Sequence, residues 1–208
     1  MIRKTILGVL AGALLSSSAL AQITVPQVGV NQANVREQTY SAVSVALVPA
    51  ASATDVFCIS GSSTKTIAIN KIIVSGTAGT LVSLPFTLVR RATLNTGGTA
   101  ATGSAAPVAT PHISTNAAAT ATLVAYTANP TINDSSPLYL RSQILTLPTT
   151  AAGTVIQPIQ WNAGTAVEAY SQRFDIPAGS TTVQYCVNLN SVSVSSGSLH
   201  ISVTWSER

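Results

Sequence analysis

The chain has 208 residues, of which 46% are hydrophobic, 8% charged and 5% aromatic, with a formal net charge of +4. Ala, Thr, Ser and Val dominate; such a composition lacks the Glu, Lys and Leu that long helices use and is rich in residues that fit a pleated surface, so it excludes a helical bundle and favours an all-β fold. With Arg3 and Lys4 set aside as part of a leader, eight basic side chains face six acidic ones, and a balance near +2 with Arg90 and Arg91 as the one adjacent basic pair leaves no footprint for nucleic acid.

Residues 1–21 read as a secretory signal peptide: Arg3 and Lys4, an apolar run from Ile6 to Leu15, and a small-residue tail ending Ala19-Leu20-Ala21. The apolar run is too short to span a bilayer, which takes about 20 residues, so cleavage is expected after Ala21 and no membrane association after it. Residues 22–37 carry Ile23, Val25, Val28 and Val30 around Pro26 and Gly29, the pattern of an extended arm ahead of a single β-sandwich domain at 38–208.

Within that domain, strands are predicted at 40–48, with Val43, Val45 and Leu47 on one face, and at 55–60. In 65–75, Ile67 and Ile69 have one parity and Ile72 and Val74 the other. A single inward face therefore requires an extra residue near Asn70-Lys71, a β-bulge. Strand 80–91 places Val82, Leu84, Phe86 and Leu88 together, and Pro85, which lacks a ladder donor, predicts an edge position or another bulge. Residues 93–111, with Asn95-Thr96-Gly97-Gly98, form a long loop of the kind that serves as a contact surface. Asn116 could cap a helix over 116–126 that Pro130 stops from extending. Further strands are predicted at 138–147, 154–161, 172–176, 182–189 and 198–205. The last buries Leu199, Ile201, Val203 and Trp205 and exposes His200, Ser202 and Thr204. About eight short strands between turn residues imply a two-sheet sandwich of jelly-roll type.

Cys58 and Cys186 are the only cysteines. In an exported chain an even count predicts a disulfide. Parity adds to this, because Cys186 shares a face with Gln184 and Asn188, opposite Tyr185, Val187 and Leu189, while Cys58 shares one with Val56 and Ser60, opposite Phe57 and Ile59. Both sulfurs should meet on the outer face of one sheet if the strands are neighbours.

Chemistry-bearing residues are sparse. His200 lies on the polar face of its strand and reads as a solvated side chain. His112 adjoins the long loop, and a triad of Ser114, His112 and Asp134 can be drawn, without a nucleophile-elbow motif to support it. The carboxylates Glu37, Asp55, Asp134, Glu168, Asp175 and Glu207 show no close spacing that pairs them for glycoside hydrolysis. Asn133-Asp134-Ser135 lacks the rest of a calcium loop and reads as a polar turn. Trp161 and Trp205 share the parity of the apolar residues of their strands, which assigns them to the core rather than to a sugar platform. No catalytic residue, metal or cofactor is expected.

The segments TKTIAINKIIVSGT (64–77), LVRRATLNTGGTA (88–100), VATPHISTNAAATATLVAYTANPT (108–131) and VNLNSVSVSSGSLHISVTWSE (187–207) resemble a family of small Thr- and Ala-rich β-sandwich proteins of tailed phages, prophages and environmental bacteria. The resemblance implies a virion or surface component, and it carries no functional residues. The leader and the two cysteines depart from that family and shift the expectation from a capsid part to an exported, non-enzymatic protein, secreted, periplasmic or at the cell surface, that self-associates or attaches. A homo-oligomer and a cell-surface or glycan partner are the expected associations. The alternatives are a phage decoration or fibre protein with an uncleaved N-terminus, and a carbohydrate-binding module or glycan-active enzyme on a jelly-roll scaffold.

Overall fold

The computed structural model describes residues 37–149, 157–163, 174–194 and 196–208. The expected signal peptide, residues 22–36 of the arm, Glu168 and parts of the strands expected at 154–161 and 172–176 lie outside them. Among the described residues the strands are β1 (Gln38–Leu47), β2 (Ala53–Ser60), β3 (Ile67–Thr77), β4 (Val82–Arg91), β5 (Thr99–Ala100), β6 (Thr110–Pro111), β7 (Thr122–Ala128), β8 (Leu138–Leu147), β9 (Ile159–Asn162), β10 (Phe174–Ile176), β11 (Gln184–Val192) and β12 (Ser198–Glu207). They form two antiparallel sheets. The first runs β10-β3-β12-β1-β6, with β9 also on β3, and the second β5-β7-β2-β11-β4-β8.

Eight of these strands carry the jelly roll. The chain alternates between sheets from β1 through β2 and β3 to β4, stays in the second sheet from β4 to β8, and alternates again through β10, β11 and β12, so that β10-β3-β12-β1 faces β8-β4-β11-β2. Of the four additional strands, β9 lies between β8 and β10, and β5, β6 and β7 come from the excursion between β4 and β8, where the expected helix at 116–126 does not form. Its second half is β7, paired with β2 from Phe57–Ala125 to Ser60–Thr122. Alternation of Leu123 and Ala125 against Val124 and Tyr126 gives this stretch a sheet-facing side, and that burial outweighs the weak helical preference of a Thr- and Ala-rich segment.

Three bulges set which side chains face the core. In β3 the partner of Thr204 is Lys71 and that of Trp205 is Ile69, so Asn70 is the extra residue and both Ile pairs turn inward, as the parity switch requires. In β1 the expected common face of Val43, Val45 and Leu47 is broken. Tyr40, Ala42 and Ser44 are buried while Val43 and Val45 are exposed, and a register shift between Ser44 and Leu47, with Ala46 at φ 54°, returns Leu47 to the core. In β2 the partner of Val187 is Phe57 and that of Asn188 is Asp55. Val56 is therefore the extra residue, and it packs in the main core rather than beside Cys58.

Pro85 sits in β4, which has neighbours on both sides, and not in an edge strand. It is tolerated because β11 pairs only with Thr87–Arg91 and has left the ladder by Pro85. There β4 is locally one-sided, and a missing N–H costs nothing toward a partner that is not present.

The 93–111 stretch is an ordered strap. β5 lies on β7 at the edge of the second sheet, and the Ala101 N–H donates to Ala125 O at 2.7 Å. A 3₁₀ turn at Gly103–Ala105 follows, whose Ala105 carbonyl accepts the buried Ser44 hydroxyl. β6 then joins β1 at the edge of the first sheet. The strap thus crosses one open side of the sandwich. Between the sheets, Trp205 stacks on Tyr40 with ring centroids 5.6 Å apart, and Trp161, Phe57, Phe86 and Leu88 complete the centre.

Candidate functional site

The outer face of the second sheet holds the first concentration of polar chemistry. Cys58 and Cys186 are directly opposite each other in the β2–β11 ladder and form a disulfide with Cα atoms 4.2 Å apart. The parity argument placed both on an outer face, and that is where they are. They are nevertheless fully buried, because the chain returns over them. Gly97 and Gly98, at φ 62° and 74°, turn segment 92–98 back across the sheet, a conformation that other residues enter only with strain. Asn133 holds that segment from the next loop through Leu94 O and Thr96 Oγ1. Such a buried disulfide belongs to an oxidising, extracellular-type environment.

Beside the sulfurs lies Asp55, 1% exposed. Arg91 donates to both of its oxygens at 2.9 and 2.8 Å, Asn95 adds a bond at 2.7 Å and Asn188 one at 2.6 Å. A buried carboxylate survives only with such saturation. The Tyr126 hydroxyl at the rim is pushed up from its ordinary pKa by burial and then by the Asp55 charge. One Asp55 oxygen and the two sulfurs lie within 4.8 Å of one another, a spacing that suits a metal. The sulfurs are joined to each other, however, and offer no thiolate, while Asp55 is occupied by its three partners. The cluster is a structural seal.

The second concentration is a cleft of about 420 Å³ lined by Glu37, Thr39, His112, Ile113, Thr115 and Asn116. One wall is the loop after β6. It is fixed at its start by the His112 N–H on Thr39 O and turned by Asn116 N–H on Ile113 O. Its far end is anchored by Glu207, 2% exposed, whose carboxylate accepts from Thr120 N–H and Oγ1, Ala121 N–H and Trp205 Nε1 at 2.8–3.1 Å. Burial pushes the Glu207 carboxyl up, but the Ala121 N–H, the Trp205 indole and Thr120 outweigh it and hold the group below the usual carboxylate range. The Tyr40 hydroxyl is raised, first by burial and then by the Glu207 charge. The cleft offers the Glu37 carboxylate and hydroxyl, amide and imidazole groups beside one apolar side chain, a set able to hold a hydroxyl-bearing ligand.

The triad drawn from sequence is not assembled. Asp134 is bound to the N–H groups of Ala92 and Ser136, which hold its carboxyl below the ordinary range. Among the described residues no hydrogen bond joins it to His112 or Ser114. Asn133-Asp134-Ser135 forms the polar turn its composition implied. His200 is exposed on the outer face of β12. Trp161 and Trp205 are 3% and 0% exposed, inside the core. Glu37 and Asp175, distant in sequence, meet on Arg208 at 3.1 and 2.9 Å. One guanidinium bridges the two carboxylates at the surface.

Among the described residues no helix is long and apolar enough to cross a membrane. Compared with family models, with curated proteins and with solved structures, the chain matches none.

Proposed function

We propose that the protein is an exported, non-enzymatic β-sandwich of virion-like type that works through its surface, by self-association or by attachment to a cell-surface or glycan partner. The observation that carries this reading is the use of the acidic side chains. Asp55, Asp134, Asp175 and Glu207 are each spent on bonds that hold the fold, so these four carboxylates serve architecture. A surface poor in long charged side chains supports close packing between subunits, since little must be desolvated or ordered on contact. The leader-like N-terminus and the sealed disulfide support export, and the resemblance to phage and prophage products supports an assembly role.

The test is the size and morphology of the purified protein by light scattering and negative-stain microscopy. Defined oligomers or particles are expected. A glycan- or ester-hydrolysing activity that disappears in His112→Ala with the fold preserved would overturn the non-enzymatic assignment. Intact mass separates this reading from a phage fibre or decoration protein that keeps Met1. The cleft beside His112 favours a second reading, a carbohydrate-binding module, for which a glycan array is the direct measurement.

A further inference from the structure

The sandwich has very unequal sheet edges. β5 and β6 are two residues long, β10 and β9 three and four, whereas β8 runs for ten along the end of the second sheet. Among the described residues β8 pairs only with β4. It also bears the most exposed large apolar side chain in any described strand, Ile144 at 74%, with Tyr139 at 65% and Leu138 at 53%. Long open edges are normally blunted by Lys, Pro, a bulge or an inward charge. Here the bulge, at Leu140 between the Leu88–Arg141 and Val89–Tyr139 pairs, and the one inward charge, Arg141 over the Phe174 ring, both lie at the start of the strand. Residues 141–147 follow as a regular tract with no Pro and no acid.

We propose that this tract pairs with its own copy across a two-fold axis at Ile144, extending the second sheet through β8 into a dimer. The inference rests on the self-association reading and names its contact. Ile144 is opposite Pro85, so it lies on the outer face, with Ser142 and Thr146, while Leu145 and Leu147 point to the core. An antiparallel pairing centred on Ile144 sets Ile144 against Ile144 of the second copy and Ser142 against Thr146, a β-branched pair flanked by hydroxyl pairs that bond each other. Gln143 falls opposite Leu145 at the rim of the core. Charge selects the orientation. Arg141 is the only charged residue of β8, and the two-fold separates the two guanidiniums by about 20 Å along the strands, whereas a parallel in-register pair would set them about 4.8 Å apart. A two-fold contact also consumes the edge in both copies and stops, which a head-to-tail contact would not.

Sedimentation velocity of the purified protein over a range of concentration, repeated with Ile144→Lys and with Val48→Lys as an exposed control just after β1, tests this. The expected result is a species of twice the monomer mass for the wild type and Val48→Lys, and monomer for Ile144→Lys with an unchanged circular dichroism spectrum. Ile144→Cys should cross-link under mild oxidation and Val48→Cys should not. A dimer that survives Ile144→Lys, or fails to cross-link through Ile144→Cys, overturns the β8 contact and leaves self-association standing. A protein that is monomeric at every concentration overturns both.

Discussion

Replacing both cysteines, Cys58→Ala with Cys186→Ala, removes a cross-link between residues 128 apart in sequence. In the chain-entropy treatment, closing a loop of that length restricts the denatured ensemble by about 5 kcal/mol. Domains of this size are stable by roughly 5–15 kcal/mol, so the loss is a third or more of the whole. Alanine keeps each Cβ in place, and the Asp55 network and the 92–98 segment still cover the site. The native fold should therefore persist while its free energy of unfolding drops. Urea unfolding followed by near-ultraviolet circular dichroism of Trp161 and Trp205, with the oxidised wild type as reference, measures the difference. A drop of less than about 1 kcal/mol would refute the reasoning, because it would mean that β2 and β11 are already held together in the denatured chain. The same burial predicts that a dithiol reductant leaves the native bond intact in buffer and reduces it quickly in urea, since it reaches the sulfurs only through an opened state.

Arg91→Met leaves the Asp55 carboxylate buried without its cation and should cost about 3–5 kcal/mol, read by the same urea titration; a cost near zero would show that Asn95 and Asn188 suffice. Glu207 has its folded pKa below that of the unfolded chain. Its stabilisation is therefore complete above the unfolded value, about 4.3, and is lost as pH falls through the folded one, so Glu207→Gln should flatten the stability profile on the acid side, as thermal melts across that range will report. Gly98→Ala places a Cβ 2.9 Å from Ala128 O at a φ of 74° and should destabilise by about 1–3 kcal/mol. His200→Ala removes an exposed side chain and should change stability by no more than about 0.5 kcal/mol.

Much of the jelly roll was legible because burial in a sheet imposes parity. The alternation in β12 identified its core residues, the clash of parity between Ile67, Ile69 and Ile72, Val74 located the Asn70 bulge, and the faces of Cys58 and Cys186 anticipated the bond. The same rule misled where a bulge left no trace in the pattern. Val43, Val45 and Leu47 keep one parity through the irregularity at Ala46, and Val56 hides the turn that brings Asp55 beside the sulfurs. The expected helix failed because Asn116 and three alanines imitate a capped start while the pairing of β7 with β2 is a long-range fact. The polar seal was the hardest to read. Asn188 lies on the expected face with Cys186, but the arrival of Asn95 depends on two glycines reversing a loop, and nothing local announces where that loop comes to rest.

β12, the last strand of the described chain, stands in the middle of the first sheet, bonded to β1 on one side and β3 on the other. Apart from β12, β1 has only the two-residue β6 and β3 only the short β9 and β10 as partners, and the pairing of Gln38 with Glu207 spans nearly the whole domain. Folding rates fall as such distant pairings dominate. The centre of the first sheet is therefore complete only once the last described strand is in place. The Cys58–Cys186 bond likewise waits on β11, because the two cysteines face each other only in the β2–β11 ladder.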